Sequence, residues 1–213
     1  MIAIVDYGVG NLFSLKCSIG VTGEYALVTS DRQEIEQAQR IILPGVGAFG
    51  DAMDKLRASG LVDVVREQAL GGKPFLGICL GMQLLFERSY EFGSYEGLAL
   101  IPGEVRPIAD VIPDALPIPH MGWNALHFRK KDEEGSLFAS LEEGAHAYFV
   151  HSYAAFDCEE SVRATCEYGA HLTAAVRKDN IHGLQFHPEN SGEAGLAMLK
   201  AFARLPVRGK GTA

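Results

Sequence analysis

Several features are scarce in this sequence, and each scarcity excludes a class of protein. Only four cysteines occur among the 213 residues, and they form neither a CxxC pair nor the spacing of a zinc site. The net charge is −8, so the chain lacks the basic stripe that nucleic-acid binding requires. We therefore expect no metal, no cofactor and no nucleic-acid partner.

Long apolar runs are also missing. The most apolar stretch, residues 74–86, is shorter than the ~20 residues of a membrane-spanning helix and is interrupted by Gly77 and Gly81. The first residues, MIAIVDYGVGN, contain no basic segment and only a short apolar run, which argues against a secretory signal. We expect a cytoplasmic protein with reduced thiols and no membrane contact.

The composition is that of an ordinary globular protein, with 47% hydrophobic and 22% charged residues. A chain of this length fits one large domain with a substantial core. No internal repeat and no linker divides it. We predict a single domain over residues 1–205 and a disordered tail over residues 206–213, which ends in RGKGTA.

The apolar pattern of the first half predicts strands that alternate with helices. The predicted strands are at residues 2–5, 25–28, 40–43 and 75–78. A helix is predicted over residues 31–39, with Ser30 as its N-cap and Gln33 completing a capping box. The helix after Asn11 is expected to be short or frayed, because two glycines follow and each costs about 1 kcal/mol relative to alanine.

The second half changes to short strands separated by turns. They are predicted at residues 105–108, 125–128, 148–150, 162–167, 174–177 and 183–186, and a final helix at 191–204. Alternating strands and helices favour a parallel sheet covered by helices. We therefore predict one α/β domain with a mostly parallel mixed sheet flanked by helices.

The strongest chemical signal is PFLGICLGMQLLF, residues 74–86. A buried strand runs into GICLG, residues 77–81, and an apolar helix follows, as in a nucleophile elbow whose glycines allow close packing. The helix N-terminus would favour the thiolate of Cys79, and the N–H of Leu80 would face a developing oxyanion. The GxCxG pattern alone fits a buried core cysteine equally well.

A second signal favours the nucleophile. The segment LQFHPE, residues 184–189, is an apolar strand that ends in His187, Pro188 and Glu189. Proline pushes His187 toward an extended conformation, in which residues i and i+2 point to the same side. Glu189 can then orient the imidazole while its other nitrogen faces a thiol. We predict that Cys79, His187 and Glu189 form a catalytic triad.

A third signal is the glycine loop LPGVG, residues 43–47, directly after the third strand. Glycines at the carboxyl end of a strand let backbone amides turn toward a ligand, and α/β sites lie at that edge. An ordinary strand-to-helix loop would look the same in isolation. Together with the elbow, we expect Val46 and Gly47 to supply the second oxyanion donor.

GICLGMQLL, QFHPE and the PGVG loop together resemble the class I, triad-type glutamine amidotransferases. Within them, DYGVGN (6–11), LPGVGAFG (43–50), HMGWN (120–124) and YFVHSY (148–153) resemble the glutaminase subunits of imidazole glycerol phosphate synthases. The segments occur in the expected order and span nearly the whole chain. GxCxG by itself occurs in several hydrolases, whereas DYGVGN and HMGWN separate these subunits from glutaminases that serve other synthases.

The resemblance implies roles for further residues. Gln83 and Glu91 would hold the amino-acid end of glutamine, and the backbone at Ser152 and Tyr153 would receive its carboxylate. Glutamine would be hydrolysed to glutamate and ammonia through a thioester on Cys79.

The resemblance also implies a partner, a (β/α)8-barrel cyclase in a heterodimer. The cyclase would use the ammonia to make imidazole glycerol phosphate and aminoimidazole carboxamide ribonucleotide in histidine biosynthesis. The residues implied at or near the contact are Asn11, His120, Met121, Gly122, Trp123 and Asn124. The sequence by itself favours a core position for Trp123. The family usually has lysine where this chain has Asn190, so the anchoring of the partner is expected to differ.

Other functions remain open from the sequence. The chain could be the glutaminase of a different synthase, a freestanding γ-glutamyl hydrolase, or a non-catalytic interaction subunit. HMGWN argues against the first, and the complete triad with both glycine loops argues against the last.

Overall fold

Short runs of branched apolar residues form the central strands in the computed structural model, which describes residues 1–129, 131 and 133–207. The strands are β1 (Ile2–Val5), β2 (Ala26–Thr29), β3 (Arg40–Gly45), β4 (Phe75–Cys79), β5 (Arg88–Ser89), β6 (Tyr95–Glu96), β7 (Glu104–Pro107), β8 (His120–Ala125), β9 (His127–Phe128), β10 (His146–His151), β11 (Tyr153–Phe156), β12 (Val162–Glu167), β13 (His171–Lys178) and β14 (Ile181–Leu184). The helices are α1 (Leu12–Val21), α2 (Arg32–Gln37), α3 (Phe49–Ala58), α4 (Val62–Leu70), α5 (Leu80–Gln83) and α6 (Gly192–Ala203). Of the tail predicted over 206–213, residues 208–213 lie outside the described residues.

The main sheet has eight strands in the order β2-β1-β3-β4-β14-β13-β12-β9. The pairings from β2 to β14 are parallel, and those from β14 to β9 are antiparallel. β4 lies between β3 and β14, with Cys79 opposite Gly45 and Ile78 opposite Leu184. The mixed, mostly parallel sheet predicted from the sequence is confirmed.

Helices cover both faces of this sheet. Alternate residues of β1 face opposite sides, so Ile2 and Ile4 pack with α1 and α6, whereas Ala3 and Val5 pack with α2, α3 and α4. Burial on both faces explains why these strands appear in the sequence as continuous apolar runs. No helix among the described residues is long and apolar enough to cross a membrane.

Two smaller sheets adjoin the main one. β8 and β10 form an antiparallel two-stranded sheet, and β11, β7, β5 and β6 form a four-stranded sheet in that order. The single strand predicted over 125–128 is wrong. Leu126 separates β8 from β9, because its N–H bonds to Ala145 while β8 pairs with β10 and β9 pairs with β12.

The helices α2, α5 and α1 differ from the sequence prediction in a cap or in length. The N-cap of α2 is Asp31, not Ser30, because the Asp31 carboxylate accepts from the N–H groups of Gln33 and Glu34. α5 is a single turn, since the chain after Gln83 tightens into i→i+3 hydrogen bonds. α1 is a full ten-residue helix, and Gly23 follows its end with φ +85°.

Candidate active site

The candidate nucleophile lies at the carboxyl end of the central strand. β4 ends at Cys79 and α5 begins at the next residue. Cys79 has φ 54° and ψ −114°, a conformation that costs a non-glycine residue on the order of 1–3 kcal/mol. Strained backbone of this kind at a strand-to-helix turn is the geometry of a nucleophile elbow.

Three glycines let the elbow pack against the neighbouring strand. A Cβ on Gly77 would lie 2.6 Å from the carbonyl oxygen of Gly81, and one on Gly45 would lie 2.6 Å from the Gly81 nitrogen. A Cβ on Gly81 would overlap the carbonyl of Leu43. The expectation that strand and helix approach too closely for side chains here is confirmed.

The sulfur of Cys79 has one polar neighbour on β10 and another just after β14. The Nε2 of Gln185 and the carbonyl oxygen of Val150 each lie 4.0 Å from it. Because α5 has a single turn, the helix dipole that the sequence suggests at this position is small. The N–H of Gln185 is one group placed to favour a negative charge on the sulfur.

His187 follows β14, the strand beside β4, and is extended at φ −98° and ψ 97°. Its Nδ1 lies 2.9 Å from Oε1 of Glu189, and the two side chains are 7% and 3% exposed. The hydroxyl of Ser191 donates to the His187 carbonyl at 2.6 Å and accepts from the Tyr148 N–H, which fixes the backbone. The Nε2 atom of His187 remains for the thiol of Cys79.

The groups around His187 favour its protonated form. Burial lowers the pKa of His187, but hydrogen bonds to Cys79 and Glu189 and the charges of both groups outweigh it and raise the pKa to about 10. The imidazole is then protonated at neutral pH, as in a thiolate–imidazolium pair. Such a pair can attack an acyl carbon and protonate its leaving group.

A cavity of about 320 Å³ opens over Cys79. Its walls come from the glycine loop, the elbow, Glu91 and the ends of β10 and β11. The lining residues are Val46, Gly47, Cys79, Leu80, Gln83, Glu91, Pro119, Val150, His151, Ser152, Tyr153 and His187. The structure thus places every residue proposed for the oxyanion or for the substrate around one cavity, together with two members of the predicted triad.

The two side chains proposed to bind substrate are held by other polar groups. Nε2 of Gln83 donates to the carbonyl of Tyr153 at 3.1 Å and to Oε1 of Gln185 at 3.0 Å. Glu91 accepts from the N–H of Phe49 at the start of α3, at 2.6 Å. Burial raises the pKa of Glu91, although the Phe49 hydrogen bond opposes this. Both side chains are therefore oriented before any ligand arrives.

Two residues at the site are not singled out by the sequence motifs. His151 is 6% exposed and lines the cavity, and Gln185 is fully buried beside Cys79. Strict alternation along β10 puts Ala147, Phe149 and His151 on its inner side, so the YFVHSY segment does contain a signal for His151. Gln185 lies in QFHPE, but its contact with Cys79 spans 106 positions.

The remaining thiols lie elsewhere. Burial raises the pKa of Cys158 to about 11 and that of Cys166 to about 12, so both stay as unreactive thiols at neutral pH. Cys17 is exposed on α1. Within the part of the chain that the structure describes, no three His, Cys, Asp or Glu side chains are grouped as a metal site would require.

The residues proposed at a partner contact differ in their exposure. Asn11 is exposed just before α1, and Met121 and Trp123 are exposed on β8, with Trp123 at 56%. Trp123 is therefore not the core aromatic that the sequence by itself favours. Gly122 and Asn124 are partly buried, and His120 is only 2% exposed, so its side chain faces the interior behind the strand.

The fold and this site define a class of protein. The family model for class-I glutamine amidotransferases matches residues 3–205, and the chain belongs to that family. A crystal structure of a glutamine amidotransferase has the same fold, with a TM-score of 0.72 at 18% identity over 95% of this chain and 99% of that one.

Close relatives narrow the class. The imidazole glycerol phosphate synthase subunit HisH of Oceanobacillus iheyensis is 47% identical, covering 96% of this chain and 99% of its own length. The HisH subunit of Bacillus cereus is 49% identical over 95% of this chain and 93% of its own. The resemblance inferred from the motifs is confirmed at the level of the family and of these relatives.

Proposed function

We propose that this chain hydrolyses glutamine to glutamate and ammonia, and that it delivers the ammonia to the cyclase subunit of an imidazole glycerol phosphate synthase. The observation that carries the proposal is that Cys79 and His187 line one cavity, and that His187 is hydrogen-bonded to both Cys79 and Glu189. The name shared by relatives at 47% and 49% identity supports the choice of synthase.

The first half of the reaction is acylation. The thiolate of Cys79 attacks the side-chain amide carbon of glutamine, and a C–S bond forms as the carbonyl π electrons move to oxygen. The imidazolium of His187 gives its Nε2 proton to the amide nitrogen. The C–N bond then breaks, which releases ammonia and leaves a thioester. Glu189 keeps the imidazole oriented through Nδ1.

The second half is hydrolysis. His187, now neutral, takes a proton from water through Nε2, and the resulting hydroxide attacks the thioester carbon. Collapse of the tetrahedral intermediate breaks the C–S bond and releases glutamate. The thiolate and the imidazolium are restored, so the cycle needs no redox step and no cofactor.

Each tetrahedral intermediate carries a negative oxygen that needs donors. The backbone N–H of Leu80 and the glycine loop at Val46 and Gly47 are the candidates, because all three residues line the cavity beside Cys79. Gly47 has φ +91°, and a Cβ added to it would meet no atom within 4 Å, so the loop has room to turn an amide toward the oxyanion.

The other end of the cavity suits the amino-acid end of glutamine. Glu91 and the free Oε1 acceptor of Gln83 can take the ammonium group, and the backbone at Ser152 and Tyr153 can receive the carboxylate. We expect the partner, a (β/α)8-barrel cyclase in a cytoplasmic heterodimer, to contact the exposed Met121 and Trp123.

The test is glutamate release from glutamine by the chain alone and with a candidate cyclase and its ribonucleotide substrate. Cys79→Ala should abolish glutamine hydrolysis while the complex still makes product from added ammonia, and Cys17→Ser should behave as the wild type. Release that ignores the cyclase would favour a freestanding hydrolase. Loss of the ammonia-dependent reaction in a folded Cys79→Ala complex would contradict the nucleophile assignment.

A further inference from the structure

A chain of hydrogen bonds runs from β8 to the cavity. The Nδ2 of Asn124 lies 3.2 Å from Nε2 of His120, and Nδ1 of His120 lies 3.0 Å from Nε2 of His151. The chain ends where Nδ1 of His151 lies 2.8 Å from the carbonyl oxygen of Tyr153. It therefore joins a strand that carries exposed apolar side chains to the residues that border the candidate active site.

The direction of this chain follows from its last acceptor. A carbonyl oxygen only accepts, so His151 must carry its proton on Nδ1, and its Nε2 must accept. This requires a proton on Nδ1 of His120, whose Nε2 then accepts from Asn124. The Asn124 amide is held in the orientation that this direction requires. Its Nδ2 also donates to the carbonyl of Glu167 at 2.8 Å, and its Oδ1 accepts from the Ala125 N–H.

The same carbonyl orients two amides on the other side. Tyr153 also accepts from Nε2 of Gln83 at 3.1 Å, and the second N–H of that amide requires an acceptor, which is Oε1 of Gln185 at 3.0 Å. Gln185 consequently turns its Nε2 toward the sulfur of Cys79, 4.0 Å away. We call Gln83 and Gln185 the two pocket amides.

Burial leaves these hydrogen bonds few alternative partners. His120 is 2% and His151 6% exposed, and the ring of His120 stacks on Phe149 and Tyr168 with centroids 4.9 and 4.2 Å apart. Burial lowers the pKa of both histidines to about 4, so both are neutral at physiological pH. A buried polar atom left without a partner costs more than its hydrogen bond contributes, which holds the chain in a single direction.

We propose that Asn124, His120 and His151 are positioning residues for glutamine binding: they fix the carbonyl of Tyr153, and through it the two pocket amides. This inference rests on the proposed glutaminase function. In this orientation Gln83 presents its Oε1 acceptor to the substrate, and Gln185 presents its Nε2–H donor to the sulfur of Cys79. None of the three positioning residues needs to touch the reacting amide.

The same chain of hydrogen bonds also connects the pocket to the outer side of β8. Neighbouring residues of a strand point to opposite sides, so Met121 and Trp123 face outward while His120 faces the interior. A partner that displaces the outer side chains moves His120 with the same backbone. The length of the contact between His120 and His151 then sets how firmly the Tyr153 carbonyl is held.

The first test locates the protons. In the isolated chain, ¹⁵N NMR of the imidazole rings should show His120 and His151 neutral with the proton on Nδ1, whereas free neutral histidine favours Nε2. Asn124→Asp exchanges a donor for an acceptor of the same shape and should move the His120 proton to Nε2. Protonation of either wild-type histidine at Nε2 alone would overturn the proposal. This result does not depend on whether glutamine is the substrate.

The second test is kinetic and uses the complex. Asn124→Asp and His120→Phe should each raise the KM for glutamine about tenfold, the effect of one buried hydrogen bond, with a smaller change in kcat. The ammonia-dependent reaction should be unchanged. His146→Gln, an exposed change on β10, is the matched control.

Three outcomes are decisive for the kinetic test. An unchanged KM in folded Asn124→Asp would refute the positioning role, as would an equal rise in the His146→Gln control. A wild-type complex that does not hydrolyse glutamine would refute the proposed function instead, and the NMR result would still decide the direction of the chain.

Discussion

The buried hydroxyl of Tyr7 donates a 2.7 Å hydrogen bond to the carbonyl oxygen of Pro44. Pro44 lies two residues before Val46, where the glycine loop begins to border the cavity, and a Cβ on Gly10 would lie 2.9 Å from the Pro44 ring. Burial and the nearby Cys79 raise the pKa of Tyr7, so its phenol remains a neutral donor. The turn after β1 and the glycine loop are thus packed as one unit.

Tyr7→Phe should loosen that unit without changing its shape. We expect the free energy of unfolding to fall by about 1 kcal/mol, the contribution of one buried hydrogen bond, and kcat for glutamine to fall severalfold because the oxyanion loop loses a support. Urea unfolding and glutamate release measure the two effects. Tyr25→Phe, at an exposed tyrosine, should change neither; equal effects in both variants would contradict the assignment.

Glu189→Gln should reduce kcat for glutamine by at least about a hundredfold, because the imidazole loses the charge that stabilises its protonated form. Without that charge the pKa of His187 falls below its value of about 10. The alkaline limb of the kcat/KM profile should therefore move to lower pH. Glu193→Gln, in the first turn of α6, serves as control. A variant with full activity and an unmoved alkaline limb would rule out the orienting role.

His182 should make the protein less stable in acid. Burial first, and then the charges of Arg177 and Arg163, lower its pKa to about 3. Below pH 6.5 the unfolded chain binds a proton that the folded chain does not, so its contribution to stability is complete above pH 6.5 and is lost as pH falls toward 3. Between pH 7 and pH 5 the loss is about 2 kcal/mol.

The measurement for this acid effect is urea unfolding of the wild type and His182→Gln at both pH values. The variant should lose about 2 kcal/mol less than the wild type over that interval. His171→Gln changes an exposed histidine and should follow the wild type. Identical pH dependence in the wild type and His182→Gln would show that His182 is not held neutral by the fold.

Two glycine-to-alanine changes should have opposite signs. In Gly81→Ala the new methyl group would overlap the Leu43 carbonyl, and we expect a loss of about 3 kcal/mol or more in unfolding free energy. In Gly20→Ala the methyl group meets no atom within 4 Å on α1, and we expect a gain of about 0.5–1 kcal/mol. Urea denaturation measures both, and a stable Gly81→Ala would contradict the packing of the elbow.

Local patterns in the sequence predict much of this molecule. The strands at 2–5 and 162–167 have the predicted bounds, because their apolar patterns are set by the faces they bury. The predicted contact between Glu189 and His187 is present at 2.9 Å, but only His187 is extended, because Pro188–Asn190 form a turn of 3-10 helix that brings Glu189 back to the imidazole. The glycines around Cys79 are needed because strand and helix pack closely there, and the GICLG motif indicates this packing from the sequence.

Other features depend on contacts that no local pattern contains. The N-cap of α2 is Asp31 rather than Ser30 because side-chain geometry decides between adjacent residues that can both cap. The chain of hydrogen bonds from Asn124 through His120 to His151 needs β8 and β10 to pair in the register that sets His120 opposite His151, 31 positions away. Such long-range strand pairing determines which histidines are buried and how they are oriented. The sequence therefore shows the motif HMGWN but not the hydrogen bonds that its residues make.

β8 and β10 form a sheet of their own, whereas Cys79 belongs to the main sheet and His187 lies three residues beyond the end of β14 in that sheet. The relative positions of Cys79 and His187 are therefore set by β4, whose register is fixed by parallel pairing with β3 on one side and β14 on the other. Substitutions on the outer side of β8 leave that register alone. In evolutionary terms, the outward-facing positions of β8 can vary with the synthase that receives the ammonia, whereas the inward-facing His120 and Asn124 are constrained together with the pocket.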